Sequence, residues 1–135
     1  MSELKIYYKQ LPNNIKGLYD NNKKNEPIII INTNQTEIEK RYTLTEELIH
    51  FQYYPDCNFY KCKTMMQLSI CSWIENKVKN LMVNILISDE ILLTKVIPYL
   101  KSYSIYELAE EIGVTESLLS LKLEKYNFIN KENNG

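Results

Sequence analysis

The sequence predicts an α+β protein, with a small three-stranded antiparallel sheet packed on a pair of helices. Three short runs of β-branched and aromatic residues occupy the N-terminal quarter of the chain, separated by Pro, Gly and Asn. After residue 35, apolar residues recur at helical spacing instead. Two Ser/Thr-x-x-Glu capping boxes mark helix starts in this second part. These observations favour a single domain over 1–129.

The predicted sheet spans residues 4–32. The run 4–11 alternates between apolar and polar residues, as a half-exposed strand does, and 15–20 is a second short strand. The run 27–32, Pro-Ile-Ile-Ile-Ile-Asn, is typical of a covered, central strand. Because short polar turns separate the runs, hairpin connections predict that all three strands are antiparallel.

A helix is predicted over 36–53, because the capping box Thr36-Glu37-Ile38-Glu39 precedes apolar residues at helical spacing and Pro55 follows them. Its predicted sheet-facing residues are Leu44, Leu48 and Phe51. Its neighbouring face carries Tyr42, Glu46 and His50. A second amphipathic helix is predicted over 65–87, with Glu75 near its buried side.

Further helices are predicted over 88–126, followed by a disordered tail at 130–135. Ser104 opens a capping box, and Gly113 suits the left-handed position that ends a helix. The resulting helical hairpin resembles a helix-turn-helix, so a DNA-binding module over 104–126 is one alternative. Its last helix, however, carries one lysine, two glutamates and no Arg, Asn or Gln over 116–124, so direct nucleic-acid binding is not expected.

Composition excludes several function classes. The 16 basic and 17 acidic residues nearly cancel, so no electrostatic footprint for nucleic acid or an anionic membrane is present. No stretch is long and apolar enough for a membrane span, and the N-terminus does not resemble a signal peptide, which predicts a cytoplasmic protein. Three cysteines, Cys57, Cys62 and Cys71, fit free thiols, although a cysteine-containing metal site near His50 is an alternative.

The stretch Glu46-Glu47-Leu48-Ile49-His50 has the spacing of a metal-binding HExxH motif, with Glu46 at the position of the first histidine. Residues four apart lie on one face of a helix, so Glu46 and His50 can reach a single ion. Glu47 then corresponds to the general base that deprotonates the attacking water. A charged helix whose histidine has no chemical role is the alternative, because Glu-Glu pairs are common on helices.

The order of several segments resembles the ImmA/IrrE family of metallopeptidases, and the resemblance covers 4–126. The segments are Ile15-Lys16-Gly17-Leu18-Tyr19, Ile28 to Asn32, Thr43 to His50, Glu75-Asn76-Lys77-Val78, Ile85 to Ser88 and Tyr106 to Val114. Phage and mobile-element members look most similar. Departures from the family pattern are Glu46 for histidine, Ile49 for the glycine before the second histidine, and Val78 for the small residue after the third ligand.

This resemblance implies one Zn²⁺ held by Glu46, His50 and Glu75, with Glu47 as the general base and Tyr19 and Tyr42 as neighbours of the cleft. A carboxylate oxygen ligates zinc at about the same distance as an imidazole nitrogen, so geometry permits Glu46 as a ligand. Two negative ligands leave the ion a weaker Lewis acid. They also shift the preference toward harder divalent ions such as manganese or ferrous iron.

The function expected from the resemblance is zinc-dependent cleavage of a helix-turn-helix repressor of a phage or mobile element. The alternative is a relative with little or no catalytic activity that regulates such a repressor by binding it. In both cases the partner is a protein, and no membrane is involved.

Overall fold

A computed structural model describes residues 3–21, 26–56 and 64–134 of the chain. The elements are, in chain order, β1 (Lys5–Lys9), β2 (Gly17–Asp20), β3 (Ile28–Asn32), α1 (Glu37–Tyr53), α2 (Met65–Leu86), α3 (Asp89–Ile91), α4 (Ile105–Ile112) and α5 (Glu116–Asn134). The predicted α+β class is confirmed. Over the described ranges, no helix has an apolar stretch that could cross a bilayer.

The sheet is mixed, which corrects the antiparallel prediction. Its strand order is β1-β3-β2, so β3 is central as expected, but β1 pairs with β3 in parallel, with Lys5 opposite Ile28. β2 pairs with β3 antiparallel, with Gly17 opposite Ile31. Hairpin reasoning fails here because β1 and β2, although consecutive in the chain, are not neighbours: β3 lies between them and runs in the direction of β1.

The buried side chain of Asn32, at the end of β3, holds the connection between β1 and β2. Its Nδ2 donates hydrogen bonds to the carbonyls of Leu11, Pro12 and Ile15 at 2.8–3.2 Å, and its Oδ1 accepts one from the Leu11 backbone N–H at 3.1 Å. A fully buried amide is tolerated only when such bonds replace its contacts with water. Asn32 therefore fixes the segment that leads from β1 into β2.

Helix α1 begins with the predicted capping box. Thr36 Oγ1 accepts a hydrogen bond from the Glu39 N–H at 3.1 Å, and the Glu39 carboxylate accepts one from the Thr36 N–H at 3.1 Å. The helix ends at Tyr53, shortly before Pro55, as expected. Leu44 and Phe51 pack against a core cluster formed by Tyr19, Ile29 and Ile31.

The chain divides into two compact units, Met1–Asn80 and Leu81–Gly135. That 1–129 is one domain remains a prediction. The first unit contains the sheet, α1 and the part of α2 up to Asn80, in which Ile74 and Val78 are buried. In the rest of α2, Met82 and Leu86 are buried as predicted, whereas Ile85 is exposed.

In the second unit, α3 continues into a π-helical turn (Leu92–Val96) and a 3₁₀ turn (Ile97–Tyr99) that contains Pro98. α4 begins with the predicted capping box at Ser104 and ends at Gly113, which has a left-handed φ of 77°. α5 continues to Asn134, beyond the end predicted at 126 and through most of the predicted disordered tail. Its polar C-terminal residues include no proline or glycine before Gly135, so nothing in the sequence terminates the helix earlier.

Candidate functional site

The buried face of α1 is largely polar. Thr43, Glu47 and His50 are buried together with Ile49, whereas Leu48, which helical spacing placed against the sheet, is 37 % exposed. The helix is therefore rotated so that polar side chains, rather than the full predicted apolar stripe, face inward. Burying an ionisable side chain costs free energy unless it is paired or bound to a cation. This face is consequently a candidate site rather than ordinary core.

Gly17 allows β2 to lie very close to α1. A Cβ atom at Gly17 would be 2.5 Å from Thr43 Cγ2, 3.2 Å from the Ile30 carbonyl oxygen and 3.6 Å from Glu47 Cγ. Only glycine fits a contact this short, because any side chain would collide with the branched Thr43. The close approach places the first residues of β2 next to the carboxylate-bearing face of α1.

A cleft with a volume of about 220 Å³ lies between β2, α1 and α2, within the first unit. Its lining includes five of the six predicted site residues and consists of Gly17, Leu18, Tyr19, Glu46, Glu47, His50 and Glu75. Two of these side chains are in contact: His50 Nε2 is 3.2 Å from Glu75 Oε1. His50 is almost fully buried, and the Glu75 side chain is 46 % exposed. The chain thus brings together residues 25 to 29 positions apart in the sequence.

Three carboxyl groups lie in this cleft, and the pKa values of two of them, Glu46 and Glu47, are raised. The pKa of Glu47 is raised to about 7, chiefly by burial and in part by the charges of Glu46 and Glu75, while His50 acts in the opposite direction. Burial also raises the pKa of Glu46, as does the charge of Glu75, whereas His50 and Lys79 lower it. With three carboxyl groups and one imidazole in its lining, the cleft carries more negative than positive charge when all four groups are ionised.

The imidazole responds to the same charges. Burial by itself would lower the pKa of His50, but the hydrogen bond to Glu75 and the charges of Glu47, Glu75 and Glu46 outweigh it, so the pKa is raised. A site that favours a proton on its only imidazole is a site that favours positive charge. A divalent cation would satisfy the same electrostatic demand.

The two predicted cleft neighbours have different positions. Tyr19 lines the cleft; its hydroxyl donates a hydrogen bond to the Pro55 carbonyl at 2.7 Å, and its ring makes an edge contact with Phe51. Tyr42 is half-buried one turn before Glu46 and is not among the lining residues. Burial and the charges of Glu46 and Glu75 raise the pKa of Tyr42, so it lies within electrostatic range of the cleft.

The residues of this cleft have the chemistry of a divalent-ion site but are not arranged as a complete one. Over the described ranges, no set of three or more His, Cys, Asp or Glu side chains is arranged as a coordination sphere. The donor types nevertheless fit: two carboxylates and one imidazole are common ligands of divalent ions, and His50 and Glu75 are already in contact. The excess of carboxyl groups over imidazoles in this small cleft also favours a divalent cation.

The cysteine alternative gains no support from the described residues. Cys71 is disulfide-bonded, so the expectation of a free thiol is wrong at this position. Cys57 and Cys62 lie outside the described residues.

Sequence reasoning missed three residues of the site. Gly17 and Leu18 line the cleft, and Thr43 is the buried contact of Gly17. A glycine inside the strand predicted over 15–20 was the available signal, since such a glycine often marks a close approach of another backbone or side chain. Nothing in the sequence alone showed that α1 would be the element approaching it.

Comparison with known proteins identifies the family of this α+β protein. The family model described as "IrrE N-terminal-like domain" matches residues 2–124, and the chain therefore belongs to the ImmA/IrrE peptidase family. That family implies a divalent metal ion. No curated protein and no solved structure gives a significant match.

Proposed function

We propose that this protein is a metal-dependent endopeptidase in which Glu46, His50 and Glu75 hold one divalent ion and Glu47 is the general base. The observation that carries the proposal is the 3.2 Å contact between His50 Nε2 and Glu75 Oε1 in a cleft that Glu46 and Glu47 also line. Residues from two helices meet there, next to a buried carboxyl group. Membership of a metallopeptidase family supports the same assignment.

The bound ion would act as a Lewis acid that polarises the peptide carbonyl and makes a water molecule more acidic. Glu47 would accept the proton from the attacking water and pass it to the leaving amine. A general base works best when its pKa lies near the working pH, and in the metal-free protein the pKa of Glu47 is raised, chiefly by burial, to about 7. Because Glu47 has an exposed fraction of only 7 %, solvent competes little for that proton.

The ion itself is proposed to be zinc, with manganese or ferrous iron as the alternatives. Glu46 in place of a histidine makes two of the three proposed ligands carboxylates, which suits harder ions better than a two-histidine site does. Of the proposed ligands, Glu75 is the most exposed and forms the solvent side of the cleft.

The proposed substrate is an extended segment of a helix-turn-helix repressor from a phage or mobile element. β2 lines the cleft with Gly17, Leu18 and Tyr19 and is an edge strand, because β3 is its neighbour in a sheet ordered β1-β3-β2. An extended peptide can pair with an edge strand through main-chain hydrogen bonds. Such pairing would bring a peptide bond close to Glu47.

A second candidate is a regulator that binds a repressor in this cleft without cutting it. The arrangement of His50 and Glu75 favours it, since the two side chains are hydrogen-bonded to each other and no coordination sphere of three ligands is formed among the described residues. The partner would be the same repressor class. Metal content and cleavage separate the two candidates.

The test compares wild-type protein with Glu47→Gln and Glu37→Gln. Each protein is stripped with EDTA, reloaded with Zn²⁺ or Mn²⁺, assayed for bound metal by mass spectrometry, and incubated with purified repressors of the helix-turn-helix class. Glu37 is the matched control because it is a glutamate of the same helix whose side chain is 90 % exposed.

We expect Glu47→Gln to retain the metal and to lose cleavage by at least about 100-fold, because proton transfer is removed and the ligands are kept. Glu37→Gln should cleave at the wild-type rate. Wild-type protein that takes up neither ion, or a Glu47→Gln variant that cleaves normally, contradicts the proposal. Repressor binding without cleavage by wild-type protein would favour the regulator.

A further inference from the structure

Gln35 connects three segments that border the cleft. Its Nε2 donates hydrogen bonds to the Asn32 carbonyl at 2.8 Å and to the Lys16 carbonyl at 3.1 Å. Its Oε1 accepts a hydrogen bond from the Thr43 hydroxyl at 3.3 Å. One half-buried amide therefore links the end of β3, the residue before β2 and the first half of α1.

The Lys16 carbonyl is the point at which this link acts on the sheet. It accepts a second hydrogen bond from the Asn32 backbone N–H at 2.9 Å, so the peptide that precedes Gly17 is held on two sides. Two hydrogen bonds to one carbonyl oxygen restrict both the position and the orientation of that carbonyl group. Gly17 follows directly, so its position relative to α1 depends on them.

Gly17 in turn contacts the side of α1 that carries the proposed base. The space for a Cβ atom at Gly17 is occupied by Thr43 Cγ2 at 2.5 Å and bordered by Glu47 Cγ at 3.6 Å. Thr43 therefore contacts Gly17 with its methyl group and Gln35 with its hydroxyl. Both faces of this one side chain are used to hold β2 against α1.

We propose that Gln35 is a positioning residue for Glu47: through Thr43 and the Lys16 carbonyl it holds Gly17 against α1 and so orients the Glu47 side chain in the cleft. This inference rests on the proposed function, since it assigns Gln35 a part in a reaction carried out by Glu47. Gln35 does not line the cleft, and its hydrogen bonds go to Lys16, Asn32 and Thr43, none of which is a proposed metal ligand.

The test uses Gln35→Met, which preserves side-chain length and removes all three hydrogen bonds, and Gln67→Met as the matched control. Gln35 directly precedes the N-cap of α1, and Gln67 lies in the first turn of α2, where its Oε1 accepts a hydrogen bond from the Thr64 N–H at 3.0 Å. Three quantities are measured in the metal-loaded protein: kcat and KM for the repressor, the affinity for Zn²⁺, and the NOE between the Gly17 α-protons and the Thr43 γ-methyl group.

We expect Gln35→Met to weaken the NOE and to lower kcat by roughly ten-fold, because a shift of less than 1 Å in a general base already slows proton transfer. Its KM and Zn²⁺ affinity should stay within about two-fold of wild type, since the ligands are not contacted, a pattern that general loss of folding would not give. Gln67→Met should leave all three quantities unchanged.

Thr43→Val provides a second variant in case Gln35→Met does not fold, because it removes the hydroxyl and keeps a methyl group against Gly17. It should reproduce the fall in kcat, and the double variant should be no slower than Gln35→Met. A folded Gln35→Met with unchanged NOE overturns the inference, as does one with unchanged kcat. If wild-type protein cleaves no repressor, the proposed function fails, and the NOE alone decides whether Gln35 holds Gly17 against α1.

Discussion

The two units of this protein bury charged side chains in opposite ways. In the second unit, Lys122 has an exposed fraction of only 5 %, and its ammonium group donates hydrogen bonds to Asp89 Oδ1 at 2.8 Å and Asn84 Oδ1 at 3.2 Å. In the first unit, the carboxyl groups of Glu46, Glu47 and Glu75 share a cleft with a single imidazole. The buried charge of Lys122 is thus matched by its neighbours, whereas the three carboxyl groups of the cleft outnumber the imidazole.

We interpret this difference as one between a structural role for Lys122 and the proposed chemical role of the cleft. A buried lysine with an adjacent carboxylate and an amide needs nothing more, so it serves the fold. A cleft with excess negative charge is less stable by itself and is stabilised when a cation enters. The contrast also bears on the helix-turn-helix resemblance, because the only lysine of the stretch 116–124 points inward and is engaged there instead of being available to a phosphate.

The largest effect is expected from removing a charge in the first unit. Glu47→Gln should stabilise the metal-free protein at pH 8, since a buried carboxylate is replaced by a neutral side chain. The pKa of Glu47 rises from 4.5 to about 7 on folding, which corresponds to about 3 kcal/mol of unfolding free energy. Urea unfolding in EDTA measures the difference.

The stability difference between wild type and Glu47→Gln should depend on pH, because Glu47 releases its proton at a higher pH in the folded chain than in the unfolded chain. Below pH 4.5 the carboxyl is protonated in the folded and the unfolded chain, so wild type and Glu47→Gln should differ little. Between pH 4.5 and about 7 the unfolded chain loses this proton first, so the free energy of unfolding of wild type should decrease progressively relative to that of the variant. Above that range the difference between the two should stay constant. A gap that is independent of pH would show that Glu47 is not a buried titrating group.

A smaller effect is expected from adding one carbon atom at the contact between β2 and α1. Gly17→Ala should lower the free energy of unfolding by about 2 kcal/mol, because its Cβ would overlap Thr43 Cγ2 in a packed interior. Thr43→Ser removes that methyl group and should recover most of the loss in the double variant. Chemical denaturation of the four proteins gives the coupling energy, and simple additivity would mean that the two residues do not collide.

The smallest effect is expected in the second unit, where the buried charge is balanced. Asp89→Ala should cost about 1 kcal/mol, because it leaves the Lys122 ammonium with only Asn84 while Asp89 itself is mostly exposed. Lys122→Met should cost less, since it removes the buried charge and leaves an exposed carboxylate in water. Thermal unfolding of both variants tests the order, and a larger loss for Lys122→Met would reverse the interpretation.

Local signals in the sequence were sufficient for much of the secondary structure. The capping boxes at Thr36 and Ser104 and the left-handed Gly113 lie where they were predicted, because each depends on residues within one helical turn. The bounds of α1 were predicted from its capping box and from Pro55, and the central position of β3 from its run of β-branched residues. The end of α5 was misjudged, since polar composition alone does not terminate a helix.

Long-range arrangement was beyond what these local patterns contain. The parallel pairing of β1 with β3 depends on which strand enters between two others, and hairpin spacing carries no information about that choice. The inward rotation of α1, with Thr43 and Glu47 buried and Leu48 exposed, depends on the close approach allowed by Gly17. Periodicity identifies an apolar stripe but not the surface that a helix will meet.

By itself, the sequence determined that four chemically suitable side chains lie on two helices: Glu46, Glu47 and His50 at one-turn spacing, and Glu75 on the next helix. Helical geometry is local, so the relation among the first three needed no tertiary structure. Only the tertiary structure decided that Glu75 reaches His50, that the cleft is bounded by β2, and that three carboxyl groups share this cleft with one imidazole. Burial and electrostatic coupling are properties of contacts between distant segments, and a linear sequence does not specify them.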